Sequence, residues 1–179
     1  MPKPKVAMDW LAGCAGCEMS FLDMDERLVA VLSKIQLLSS PITDLKHPPV
    51  EGVDVGILSG AVNNTTNMAV AKMFRKRSKC LIAFGDCAVF GGIASMRNLC
   101  TIDDSLNRAY VETESTVDGR VPQSDELGKP VESRAVEQVV KVDVSIPGCP
   151  PSADAIFFAL SELLEGRIPD LKDENLKYD

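Results

Sequence analysis

Short runs rich in β-branched residues alternate along most of the chain with longer runs of helical period, the rhythm of βαβ units around a parallel sheet. The first run, Lys5-Val-Ala-Met-Asp-Trp10, leads into the loop Gly13-Cys-Ala-Gly-Cys17. From about 18 to 34, Phe21, Leu28 and Leu32, with Met24 or Asp25 between them, follow the helical period and predict one helix with a single apolar face. A second strand is expected around 34–38. A third, Val53-Asp-Val-Gly-Ile-Leu58, ends in the loop Ser59-Gly-Ala-Val-Asn-Asn-Thr-Thr-Asn67. The helix that follows runs to about Lys79, where Arg75, Lys76 and Arg77 suit the negative end of the helix dipole. A fourth strand, Cys80-Leu-Ile-Ala-Phe84, runs into Gly85-Asp-Cys-Ala-Val-Phe-Gly-Gly92. From about 103 to 141 the chain turns polar, with Glu112, Glu114, Asp118, Asp125 and Glu126 among few large apolar residues, which reads as an insertion or long loop. Val142-Asp-Val-Ser-Ile146 then alternates like a strand and stops at Pro147-Gly-Cys-Pro-Pro151. A last helix starts near Ser152 as N-cap, buries Ile156, Phe157, Leu160 and Leu164, and is closed by Gly166 with Pro169 beyond. With no internal repeat, residues 1–179 read as a single α/β domain.

Charge removes one class of partner. The 19 Lys and Arg against 26 Asp and Glu leave a net charge of −7, which repels nucleic acid. No apolar run approaches the roughly 18–20 residues of a membrane span, and the opening residues do not form a signal-peptide core, so a cytoplasmic location is expected. In a reducing compartment, six cysteines in a chain with its own core point to metal or redox chemistry rather than disulfides.

Four of those cysteines follow strands. Cys14 and Cys17 come after the first, Cys87 after the fourth and Cys149 after the fifth. The C-terminal ends of parallel strands share one edge, where ligands bind in such sheets, so topology predicts that the four thiols converge. Four thiolates suit structural zinc or a [4Fe-4S] cluster. Zinc usually draws on paired local knuckles, whereas here one Cys-x-x-Cys is joined by two isolated cysteines, which favours iron–sulfur. A thioredoxin-like use of Cys14-Ala-Gly-Cys17 is a third reading, one that leaves Cys87 and Cys149 unexplained.

The ordered set Cys14-Ala-Gly-Cys17-Glu18, Gly60-Ala-Val-Asn63, Gly85-Asp-Cys-Ala88 with Gly91-Gly92, and Pro147-Gly-Cys-Pro-Pro151 resembles the cluster-binding domain of nickel–iron hydrogenase small subunits over nearly the whole chain. That resemblance implies a flavodoxin-like fold, a doubly wound and mainly parallel sheet with helices on both faces. It also implies that Cys14, Cys17, Cys87 and Cys149 hold the proximal [4Fe-4S] cluster, with the nickel–iron site in a separate large subunit. The chain ends soon after the last helix, without the cysteine-rich C-terminal region and twin-arginine signal of respiratory hydrogenases. Together with Met19-Ser-Phe-Leu-Asp-Met-Asp25, this resembles the soluble, bidirectional, NAD-reducing kind, whose electrons pass to diaphorase iron–sulfur and flavin subunits. The isolated chain is then not expected to be catalytic. The quinone-reductase subunit of respiratory complex I is a related alternative, but it carries adjacent cysteines where this chain has Cys-x-x-Cys. A structural zinc or scaffold subunit without redox activity is the alternative from another class.

The other residues read more plainly. Cys80 and Cys100 match no ligand motif and are expected to be small buried apolar residues. His47, before Pro48-Pro49, reads as a surface loop residue. Trp10 at a strand end reads as packing, with shielding of the cluster as a second use. Glu18 reads as the acidic start of a helix, or as a polar contact to a partner. The Asn63-Asn-Thr-Thr-Asn67 loop admits an FMN phosphate by fold analogy, without a motif to support it.

Overall fold

The computed structural model describes residues 2–44 and 48–172; His47 lies outside the described residues. Seven strands and six helices follow in chain order. They are β1 (Lys5–Trp10), α1 (Gly16–Leu22), α2 (Glu26–Lys34), β2 (Gln36–Ser39), β3 (Val53–Ser59), β4 (Val62–Asn64) and α3 (Thr65–Arg77). Then come β5 (Ser78–Phe84), α4 (Asp86–Phe90), a 3-10 helix over Gly92–Leu99, α5 (Ile102–Tyr110), β6 (Pro130–Arg134), a short 3-10 turn Val136–Gln138, β7 (Val144–Ile146) and α6 (Ala153–Leu164). Five strands form a wholly parallel sheet in the order β2-β1-β3-β5-β7, the doubly wound arrangement expected.

Alternation along each strand builds two cores. Val6 and Met8 of β1, with Ile82 and Phe84 of β5, pack on one face with Phe21, Val31 and Ile156 from α1, α2 and α6. Ala7, Leu81 and Ala83 face the other way, against Ala71 and Phe74 of α3 and Ala88 of α4. Successive side chains of a strand point to opposite faces, so each strand supplies both layers.

The expected single helix over 18–34 is two. Its first part begins earlier, inside the cysteine loop, and the chain breaks at 23–25, where Asp25 takes φ 52 while Met24 is driven into the core. Part of the polar asparagine loop is also strand: β4 pairs antiparallel with β6, which lies within the polar stretch from 103 to 141. At the other end of α3 the three basic residues cap carbonyls, as expected. Arg75 donates to the carbonyls of Ser78, Lys79 and Lys141 and to the Asp143 carboxylate, and Arg77 donates to Pro48. Ser152 caps α6 through the Ala155 amide at 3.2 Å, and Gly166 ends it with φ 76.

Asp143 also accepts from the Leu81 amide at 2.9 Å, tying the start of β7 to β5 and α3. Burial alone raises its pKa, but the Arg75 and Leu81 hydrogen bonds outweigh that and hold it below the ordinary carboxylate value. A depressed folded-state pKa stabilises the fold above the unfolded value of about 3.9, and the contribution is lost as pH falls through it and below. Urea midpoints should therefore separate wild type from Asp143→Asn at pH 7 and converge in strong acid. Phe74 is fully buried, and Phe74→Ala should cost about 3–5 kcal/mol in the same measurement.

Candidate functional site: a four-cysteine edge

Each candidate cysteine sits just past a strand of the parallel sheet. Cys14 and Cys17 follow β1, with Cys17 in the first turn of α1; Cys87 lies in the first turn of α4 after β5; Cys149 follows β7. Cys14 and Cys149 are exposed, and Cys17 and Cys87 are half-buried.

Backbone and side-chain bonds lock these loops to one another. The Gly85 amide donates to Ile146 O at 2.8 Å and the Asp86 amide to Gly148 O at 2.9 Å, while the Asp86 carboxylate accepts from the Gly148 amide at 2.7 Å. The Cys87 and Cys149 loops thus hold each other by a reciprocal pair. Ser20 of α1 donates its hydroxyl to Pro151 O, linking the Cys17 helix to the Cys149 loop. The chain leading to Cys14 is fixed by Ala12 and Ala61, which exchange amide-to-carbonyl bonds of 2.9 and 2.8 Å.

The thiols stand close enough to share one electrostatic environment. Cys17 is pushed up to about 12, first by burial, then by the Glu18 carboxylate, then by Cys87, Cys14 and Cys149. Cys149 is raised by desolvation and then by Cys87, Asp86 and Cys14. Four sulfurs that discourage one another's ionisation form a donor set completed by positive charge, because a coordinated metal deprotonates thiols outright.

Two glycines make room for the sulfurs. Gly85 has φ +83, and a Cβ there would stand 2.2 Å from Cys17 Sγ. Gly92 has φ +48, and a Cβ there would stand 2.9 Å from both Cys87 Cα and Cys87 Sγ. Both positions exclude a side chain by conformation and by space.

The remaining candidates fall elsewhere. Cys80 lies near the start of β5, half-buried against the first core. Cys100 is exposed after the 3-10 helix, against the expectation of burial, because the residues around it pack on no core. Trp10 is partly exposed at the end of β1. Asn64 is spent as the N-cap of α3, accepting from the Asn67 amide at 2.8 Å, and its own amide donates to Asn63 at 3.2 Å. Glu18 does open a helix as expected, but its burial was missed. Ser59 donates its hydroxyl to Glu18 Oε1, and the side chain is 1% exposed. Asp86 and Ser20 were missed as well; only their place beside cysteines in the motifs marked them.

The family of the NADH ubiquinone oxidoreductase 20 Kd subunit matches residues 14–163. The delta subunit of the NAD-reducing hydrogenase HoxS of Cupriavidus necator is 42% identical over 99% of this chain and 86% of its own length. A subunit of the F420-non-reducing hydrogenase vhu of Methanocaldococcus jannaschii is 37% identical over 93% of this chain, which spans 58% of that relative. A chain in the crystal structure of an NAD+-reducing [NiFe]-hydrogenase in the H2-reduced state superposes with a TM-score of 0.93, at 36% identity, covering 99% of this chain and 100% of the other. At 19% identity and a TM-score of 0.62, a [NiFeSe]-hydrogenase chain from Dm. baculatum shares the fold. The four-cysteine edge and the parallel sheet beneath it therefore belong to a member of the 20 Kd-subunit family, homologous to the small subunit of NAD-reducing nickel–iron hydrogenase.

Proposed function

We propose that this chain is the electron-transfer small subunit of a cytoplasmic hydrogenase, with Cys14, Cys17, Cys87 and Cys149 holding the proximal [4Fe-4S] cluster between the nickel–iron site of a large subunit and a diaphorase module that reduces NAD. The observation that carries this reading is the gathering of four thiols from three strand-end loops onto one edge, locked to one another by the Asp86–Gly148 pair and Ser20.

The residues fit such a group. Gly85 and Gly92 keep side chains away from two of the sulfurs. Among the described residues, no group of three or more His, Cys, Asp or Glu side chains is placed to hold a single metal ion, a spacing that supports a polynuclear guest over zinc. When bound, the cluster supplies reversible one-electron transfer at a potential set by net charge, hydrogen bonds and exposure. What the chain itself does is position the thiols on rigid strand ends and back them with the buried Phe84, Ile146 and Phe21, which exclude water from below. Among the described residues no helix is long and apolar enough to cross a membrane.

Shelter from above calls for a partner, and one surface is built for it. A 3-10 helix has three residues per turn, so residues three apart line one face. Phe90, Ile93, Met96 and Leu99 follow that spacing from the end of α4 along Gly92–Leu99, and are 66, 68, 61 and 84% exposed. The alternate positions anchor the run: Arg97 donates to Asn63 O and Val131 O, and Asn98 exchanges bonds of 2.8 and 2.9 Å with the backbone of Ser133. This apolar stripe leads directly away from Cys87 and is assigned to the large-subunit interface.

Cys87→Ser should lower iron per chain and abolish hydrogen-dependent NAD reduction in the assembled complex, whereas Cys80→Ala and Cys100→Ala should leave the visible iron–sulfur spectrum intact. Gly85→Ala should lower iron per chain without unfolding the protein, as judged by circular dichroism. Full iron and activity in Cys87→Ser would end the ligand assignment. Met96→Asp should reduce recovery of the large subunit on tag purification by about tenfold or more, as expected for a charge placed in an apolar interface; nickel analysis of the wild-type complex identifies that subunit.

A further inference from the structure

Among the described residues Glu18 is the only buried side chain with a formal charge. Ser59 satisfies Oε1, Oε2 has no hydrogen-bond partner, and no ion pair to Glu18 is formed among the described residues. A buried carboxylate without a counter-charge destabilises a fold, and its place in the first turn of α1 offsets this only modestly. A leucine or methionine there would serve packing better, so the charge is explained by what lies next to it. That neighbour is Cys17, whose thiol feels Glu18 more strongly than any of the other three cysteines.

We propose that Glu18 is a positioning charge for electron transfer, its buried carboxylate setting the cluster at Cys17 to a low reduction potential. Adding one electron increases negative charge in a region where water is excluded and a fixed negative charge already stands, so reduction is disfavoured. The hydroxyl of Ser59 partly neutralises that charge through Oε1, and the bare Oε2 leaves the rest unscreened. The inference rests on the cluster assignment above.

The test uses the complete complex, purified anaerobically with wild-type chain and with Glu18→Gln. Reduction is followed by redox titration with electron paramagnetic resonance, and the signal of this cluster is identified by its absence from the Cys87→Ser complex. Glu18→Gln keeps the side-chain size and the acceptor for Ser59 while removing the charge. The midpoint should rise by an amount equivalent to about tenfold or more in the reduction equilibrium, ~59 mV for a one-electron couple. An unchanged or lower midpoint at full iron content overturns the proposal, since a purely structural role alters stability or iron content without moving the potential. Should Glu18→Gln fail to retain its cluster, Ser59→Ala leaves the carboxylate without its donor and should lower the midpoint; an unchanged or raised value overturns the proposal equally. A wild-type complex with no iron–sulfur signal would instead remove the cluster assignment itself.

Discussion

Parallel pairing of β1, β3, β5 and β7 is the constraint from which the rest of the molecule follows. Strands that run the same way send all their outgoing loops to one end, and each must be followed by a segment that returns across a face of the sheet. The return segments cover both faces and build the two cores; the outgoing loops crowd together and carry the cysteines. No single loop could place four thiols around one centre, whereas three loops on a common edge do so with short excursions.

Crowding alone would leave those loops independent. The bonds between them make one unit of the edge: Asp86 and Gly148 satisfy each other, Gly85 extends the β5–β7 ladder by one further bond, and Ser20 reaches across to Pro151. Nearly all of this is backbone, so a side-chain change at one cysteine leaves the frame in place. Within that frame the sulfurs raise one another's affinity for protons, an unfavourable arrangement for bare thiols that is relieved by metal.

Much of the frame was legible in the chain. The alternation of Val6, Ala7 and Met8, and of Leu81, Ile82, Ala83 and Phe84, announces strands covered on both faces, and placing the cysteines past strand ends then needs only the parallel topology. The break at Asp25 was not legible, because the helical period runs straight through it and only the pull of Met24 into the core selects the left-handed residue. Pairing of β4 with β6 joins three residues to five across most of the polar stretch, too short a pattern to register in sequence. Glu18 was legible as a helix start and illegible as a buried charge: local rules place a carboxylate in the first turn, but whether that turn faces water depends on Ser59 at the end of another strand. Cys100 misled in the opposite sense, since cysteine is usually buried and here it ends a run anchored to β6 by Arg97 and Asn98 alone, with no core beneath.

Because β7 is an edge strand of three residues and carries the last of the four cysteines, the order of chain synthesis bears on how the site closes. When β1, β3 and β5 have emerged, three thiols stand on a half-built edge whose Asp86 and Ser20 still lack their partners Gly148 and Pro151. Only when the final segment docks beside β5 are those bonds made and the fourth sulfur delivered. Maturation is thereby placed at the end of translation, and a ribosome-bound fragment missing its C-terminal portion offers an incomplete claw with three fingers.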